Sequence, residues 1–546
     1  MTSFFLVQKS WWRNLSAWVP MVALVLFMAV LMSQTQREVR KAGSEPGFAM
    51  DDSWIHASIA KNFIEGKGWG LNAGEWIPLS TAPAWTLWMA FWLFLLGEPV
   101  VAGLTAAFLC QTAAGLLAYR LMLRWTRHRL WSLLAAVLLP LHPVLLWGFA
   151  SGMEHPIVAF SVVLCLYVFD VTRSNSCGRA VGLPLALLLG VLSRPELFVL
   201  VPLALLATAY QNLRGGSADL KMTLRIFALE CAVFLIGIAP YFVFNVATSG
   251  KPFPTALHVK ASLRDVGFFS ALKQRDWNRI GKSLYSQSFD ELRDHLLIFF
   301  RFNAILTLSM AVGLLSFVRP FRVKEYGRAA LLLSLIFFLP LMMGVVAPND
   351  SLSNYAHRYL APFIPGVVLL GSLGLWAVWT HSEQKIAALI CLILVLKSTA
   401  YNYKPILQMY ARDVRNTNAL YVDTGEWIRD NMDPTIPLAI NDIGGISYFI
   451  ENPILDIMGL GSPEIWPYLE GTSQAGRMTP ARAHGILKYL LEHDYDYLLM
   501  SPHYYTDLHR MPHVFEPIQR WEAVFRTGRA IDPQILYRIH RPDLAQ

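Results

Sequence analysis

The sequence predicts a mainly α-helical, polytopic membrane protein with a small α/β domain at its C-terminal end. Three observations predict it. Of 546 residues, 55% are hydrophobic and only 15% charged, with a mean hydropathy of +0.40, which is more apolar surface than a soluble core needs. Apolar runs such as VPMVALVLFMAVLM and LLLSLIFFLPLMMGVV recur along the chain at lengths that suit a bilayer. Lys and Arg fall in short clusters between those runs. The net charge of +8 is therefore a topology signal that implies no nucleic-acid partner. Eighteen Trp, 20 Tyr and 31 Phe suit many membrane-water interfaces. The five cysteines (110, 165, 177, 231 and 391) lie in or beside apolar segments, so no disulfide or zinc framework is implied.

The elements follow in order from the basic clusters. Lys9 and Arg13 precede the run Ala17–Ser33, an uncleaved signal anchor with its N-terminus in the cytoplasm. The run Ala82–Leu96 is shorter than the roughly 20 residues a span needs and is assigned to the outer interface. Val100–Leu121 then leads inward to Arg124, Arg127 and Arg129, Leu130–Phe149 leads out, and Pro156–Val171 returns to Arg173 and Arg179. The next apolar stretch is interrupted by Ser193, Arg194, Pro195 and Glu196, and is read as two short helices meeting below the outer surface. Arg214, Lys221 and Arg225 are then cytoplasmic. Ile226–Val246 leads out, Leu296–Val318 in, Ala329–Val346 out, Tyr359–Trp379 in and Ile386–Leu396 out, for about eleven spans.

External loops are expected at about 34–99 and 247–295. Residues 1–400 form the membrane domain and 401–546 an outer α/β domain. That tail holds strand-like runs (PLAIND, ISYFI, YDYLLMS) and two helical patterns, TNALYVDTGEWIRDN and ARAHGILKYLLEHD, which suit a mixed layer architecture. No internal repeat is evident.

Asp51, Asp52 and His56 stand just outside the first span. Asp52 and His56 are four apart and share a face if the segment is helical. Adjacent carboxylates beside lipid suit a general base, since desolvation and mutual repulsion push one of them up. They equally suit an N-cap, and Asp52 with His56 could hold a divalent cation. Glu154 and His155 sit in the next short external loop. Arg194 and Glu196 interrupt an apolar stretch, which demands a partner or a water-filled cavity, and Arg offers a planar fork for phosphate. Lys260 either snorkels or holds a lipid phosphate. His357 and Arg358 open a span at its outer end, against the usual inside bias, so an anion nearby would explain them. In the tail, Asn441 and Asp442 precede two glycines in a pattern that turn chemistry alone could give.

Several of these segments match known motifs in order. DDSWIHASIAKNFIEGKGWGLNAGEWIPLSTAPAW, SGMEHP, LSRPELFVL, KPFPTALHVK and INDIGGISYFIENPILDIMGLGSPEI resemble the GT-C superfamily of polyprenyl-phosphate-sugar-dependent glycosyltransferases. Within it they are similar to the mycobacterial terminal arabinofuranosyltransferases. The resemblance implies a helical GT-C fold, a base at Asp51 or Asp52 and an active-site carboxylate at Glu154. It implies donor-phosphate ligands at Arg194, Lys260 and Arg358, with His357 beside them, and leaves His56, Glu196 and Asp442 as candidate substrate contacts. The chain departs from the pattern at His155, where the family has Thr, and at Thr255, which follows Pro254 without the expected Asn.

The expected activity is inverting transfer of one sugar, arabinofuranose being one candidate, from a polyprenyl phosphate to a glycan or protein outside the cytoplasmic membrane. A transporter or flippase of lipid-linked sugars is the alternative. It would want charges along a path through the membrane and symmetric halves, whereas here they gather at the outer face, with Glu230 and Lys397 near span ends. A scaffold whose outer domain binds glycan is a third reading, which a transfer assay separates from an enzyme.

Overall fold

The computed structural model describes residues 2–172, 176–214, 219–263, 271–272, 274–318, 326–346, 355–380, 382–469, 479–526 and 531–541. Among them, six helices are long and apolar enough to cross a membrane, joined by six shorter apolar helices of 10–17 residues. The chain is a multi-pass membrane protein.

The first helix runs Thr2–Lys41 and packs on the Pro99–Thr126 and Lys385–Thr417 helices. Two helices lie between the first two long ones. Asp51–Ile64 is largely buried, and Pro83–Leu96 spans 14 residues, or ~21 Å at 1.5 Å per residue, too short for a ~30 Å hydrocarbon core. The strap between them is held by Asn62, whose Nδ2 donates to the carbonyls of Gly70 and Leu71 at 2.9 Å each.

Pro99–Thr126 forms one helix of 28 residues. The expected span Leu130–Phe149 does not. It breaks into Arg129–Leu141 and Pro143–Gly148, because the residue before a proline is driven to extended backbone, as His142 is at ψ 131°. The expected interruption at Arg194 is present. Helix Ser176–Ser193 ends there, Arg194 is extended, and a short 3-10 turn, Pro195–Val199, leads into Leu200–Arg214. Helices Ser288–Val318 and Ile364–Trp379 approach at backbone distance. A Cβ on Gly313 would collide with the Leu370 carbonyl, and one on Gly374 with that of Ser309, the small-residue contact membrane helices favour.

The last span is longer than expected. In place of Ile386–Leu396 a single 33-residue helix runs Lys385–Thr417, ~50 Å by the same rise, carrying the chain out of its apolar segment and into the tail. Its second half is polar in sequence but one-sided. Tyr410 and Val414 are buried, and Tyr410 Oη donates to Ala150 O at 2.7 Å.

The tail folds around a five-stranded sheet of order β2-β1-β3-β5-β4, with β1 Leu438–Ile440, β2 Ile454–Asp456, β3 Tyr497–Met500, β4 Phe515–Trp521 and β5 Gln534–Ile539. β1 pairs parallel with β2 and β3, while β5 runs antiparallel to β3 and β4. Strands read in PLAIND and YDYLLMS are present as β1 and β3, and both helical patterns form helices. ISYFI does not form a strand: Gly445–Phe449 is a short helix, for a reason that lies in the site.

Candidate active site

The site is built where the Asp51–Ile64 helix meets the loop 149–154. Ser53 Oγ donates to Ser151 O at 2.7 Å, and Trp85 Nε1 to Gly152 O at 2.8 Å. Gly152 takes a φ of 81°, open to glycine at little cost, and a Cβ there would strike the Phe48 ring. These ties carry Glu154 onto the helix face bearing His56, with Glu154 Oε2 4.0 Å from His56 Nε2.

Glu154 and Arg194 are both buried. Arg194 donates from Nη1 to Glu154 Oε1 at 2.6 Å and holds Glu196 through Nη2 (2.9 Å) and Nε (3.2 Å). Its guanidinium lies 4.9 Å from the centre of the Tyr359 ring. Arg358 lies 5.0 Å from the same ring, so one aromatic face system serves two cations. Arg358 in turn donates to Asp52 Oδ2 at 2.8 Å and to Tyr359 Oη at 3.2 Å. Asp52, Arg358, Tyr359, Arg194, Glu154 and His56 thus form one continuous network from four separate stretches of sequence.

Asp51 plays a different part. Met50 is the N-cap residue of its helix and makes no side-chain cap bond. The Asp51 carboxylate reaches instead to another helix start, accepting from Gly444 N at 2.9 Å and Gly445 N at 2.7 Å. The acidic pair therefore does not cap its own helix, as its position allowed; Asp51 caps a helix start 393 residues away instead. It also turns ISYFI into a helix, since a carboxylate satisfies the free N–H groups of its first turn. Burial first, and then the neighbouring Asp442, push the Asp51 carboxyl well above the usual range.

His56 is held neutral chiefly by burial, which lowers it, and its Nδ1 lies 2.8 Å from Thr86 Oγ1. Burial also pushes the Glu154 carboxyl up, but Arg194, His155 and His56 outweigh it and leave Glu154 below its ordinary value. Asp442 follows β1 and accepts from Gln534 Nε2 at 2.6 Å. Burial raises it to about 6.

Of the residues singled out in the sequence, Asp51, Asp52, His56, Glu154, Arg194, Glu196, Arg358 and Asp442 come together. His357, at φ 60°, turns its ring onto Phe302 at 5.6 Å. Lys260 belongs to the helix Thr255–Leu263, but its side chain lies outside the described residues. Thr255, where the motif wanted a preceding Asn, donates to Leu460 O at 2.5 Å and so ties that helix to the loop that follows β2. The network also contains residues to which the sequence assigned no role in the site. Tyr359 reads in sequence as the start of a span, and Thr86, Gly444 and Gly445 act only through tertiary contact.

Asp52 and His56 fit a divalent cation poorly, because Arg358 and Thr86 already engage them. Among the described residues no group of three or more His, Cys, Asp or Glu side chains is placed to hold a metal ion.

Residues 408–538 match a family model described as a domain of unknown function, DUF8728. No curated protein matches the sequence. Solved structures do match in fold. ArnT from Cupriavidus metallidurans, bound to undecaprenyl phosphate, aligns over 96% of this chain and 98% of its own at 13% identity and TM-score 0.55. The Archaeoglobus fulgidus oligosaccharyltransferase, tethered with an acceptor peptide containing the NVT sequon, aligns over 95% of this chain and 74% of its own at 12% identity and TM-score 0.54. Arabinofuranosyltransferase AftD from Mycobacteria aligns at TM-score 0.43 and 14% identity, covering 95% of this chain and 41% of its own, a likeness too loose to argue from. The chain has the GT-C fold, carried by a polytopic membrane protein with a small sheet-containing region at its C-terminal end.

Proposed function

We propose that this protein is a membrane glycosyltransferase that moves a single sugar, arabinofuranose being the first candidate, from a polyprenyl phosphate to a glycan or protein acceptor. Residues 1–400, with about eleven spans, are its membrane domain and 401–546 its outer α/β domain. Both the site and the outer domain face the extracytoplasmic side of a bacterial cytoplasmic membrane. One observation carries the reading: two buried guanidinium groups, Arg194 and Arg358, meet over one ring, and Arg358 is joined to a carboxylate, Asp52, whose side chain is still 42% exposed.

That arrangement suits transfer from a lipid phosphate. The leaving phosphate is a stable anion and needs fixed positive charge more than a strong acid, which Arg194, Arg358 and Lys260 supply. Asp52 takes the proton of the acceptor hydroxyl as its oxygen bonds to the anomeric carbon, and the phosphate departs with the bonding pair from the opposite face, inverting the centre. Asp52 suits the base better than Asp51, because both Asp51 oxygens already accept backbone N–H groups. Glu154 holds Arg194 at the phosphate, Asp51 fixes the outer sheet against the first loop, and His56, Glu196 and Asp442 line the substrates.

The test compares Asp51→Asn and Asp52→Asn in purified protein whose melting temperature is checked first. Asp52→Asn is expected to melt like the parent with transfer lowered by at least about a hundredfold. Asp51→Asn is expected to keep measurable transfer. Equal activity of Asp52→Asn and the parent removes Asp52 from the chemistry.

A further inference from the structure

We infer that the edge of the outer sheet formed by the carboxyl ends of β1, β2 and β3 binds the anionic group, carboxylate or phosphate, of the acceptor saccharide, with Arg482 as its anchor. The role as acceptor site rests on the transferase reading above, whereas the anion site itself does not.

Arg482 is 2% exposed. Of its five guanidinium donors, Nη2 gives to Met458 O at 3.1 Å, and Nε is buried with no partner. The carboxylate that acts on it electrostatically, Asp456, is already taken by the N–H groups of Met458 and Gly461 at 2.8 Å each. A buried guanidinium held by one carbonyl is a costly thing to keep, because its desolvation is not repaid. An incoming oxyanion would repay it, and the planar fork of Arg matches carboxylate and phosphate alike.

The topology places Arg482 where an open parallel sheet binds ligands. β1 is followed in sequence by β2 on one side and β3 lies on the other, so the strand order reverses across β1, and crevices form outside the carboxyl ends at such a point. Asp442 follows β1, Asp456 ends β2, and Tyr504 and Tyr505 follow β3. The helix Pro480–Glu492 carries Arg482 in its first turn and is capped by Thr479 Oγ1, so its positive dipole end adds to the same field. Tyr504 is 53% exposed, with its ring 5.8 Å from that of Tyr505. Both lie near Arg482, and an exposed aromatic face at that place suits the apolar face of a sugar ring.

The experiment titrates the full-length protein in detergent with three probes: a glucuronate-containing disaccharide, glucose 1-phosphate and a neutral glucose disaccharide. At least one charged probe is expected to bind about tenfold or more tightly than the neutral one, the worth of a charge-assisted pair, and which of the two does so identifies the anion. Arg482→Gln is expected to abolish the preference, and Tyr504→Ala, on an exposed side chain, to weaken every probe. Arg482→Met is expected to melt no lower than the parent in the absence of sugar, since it removes an uncompensated buried charge. A purely structural arginine would instead lower the melting temperature. Binding of a charged probe by a parent that transfers no sugar would count against the transferase reading alone. Equal binding of charged and neutral probes, or a preference that survives Arg482→Gln, overturns the inference.

Discussion

Replacing Arg194 by Gln removes the cation from which three hydrogen bonds of the network arise. Arg194 is 6% exposed at its side chain and its partner Glu154 5%, whereas Glu196 is 23% exposed. Removing one partner of a buried pair leaves a desolvated charge and costs ~3–5 kcal/mol. The Glu196 share is smaller, because water can reach it. Glu154→Gln leaves no orphan anion and keeps an acceptor oxygen for Arg194, so its cost is expected near ~1–2 kcal/mol. The double variant should then be more stable than the sum of the two single changes by about 2 kcal/mol. The assay is unfolding in mild detergent, followed by tryptophan fluorescence and repeated across pH. In the parent, Glu154 titrates below its ordinary value. Its contribution is complete above about pH 4.3 and is lost as pH falls through the folded pKa. In Arg194→Gln the largest opposing charge is gone and burial raises Glu154 above its value in the parent, so the deficit of that variant should shrink on acidification. A cost below about 1 kcal/mol, or additivity of the two changes, refutes the buried pair.

Three further outcomes follow from the same geometry. Tyr359→Leu removes the ring between two guanidinium groups and is expected to weaken polyprenyl-phosphate binding about tenfold, while Tyr359→Phe keeps most of it; a binding titration with the lipid phosphate separates them. Gly444→Ala sets a Cβ against the Asp51 carbonyl and should lower the melting temperature and the activity together, a result that wild-type melting would contradict. Asp442, raised to about 6 from an unfolded value of 3.8, holds its proton longer folded than unfolded, so the parent loses stability as pH rises between those values. Asp442→Asn should lack that loss, and identical pH-stability curves for the two proteins would exclude it.

Much of this was legible in the sequence, and the exceptions have physical reasons. The acidic pair, the Glu154 loop and the Arg194 interruption were visible because charge beside or within apolar runs is costly and must be answered by structure. The short Pro83–Leu96 helix was visible from its length alone. The break at His142 was missed because two prolines, Pro140 and Pro143, in a run of apolar residues weigh little in hydropathy. The true length of the Lys385–Thr417 helix was hidden because its last turns bury one face against the 149–154 loop, which local composition does not report. ISYFI has strand-like residues, and what makes it a helix is the distant Asp51 carboxylate. Tyr359 was overlooked for the same kind of reason: an aromatic at a span boundary ordinarily marks an interface, and only the two guanidinium groups around it reveal another use.

The proposed activity is transfer of a sugar from lipid phosphate by the network from Asp52 to Glu154. It is tested most directly by reconstituting the purified protein with a glycosylated polyprenyl phosphate and a mixture of envelope glycans, then following both products by mass spectrometry. One polyprenyl phosphate should be released for each glycan that gains a single sugar, with Arg358→Gln at background. Donor left intact by the folded parent, or equal turnover by Arg358→Gln, would contradict it.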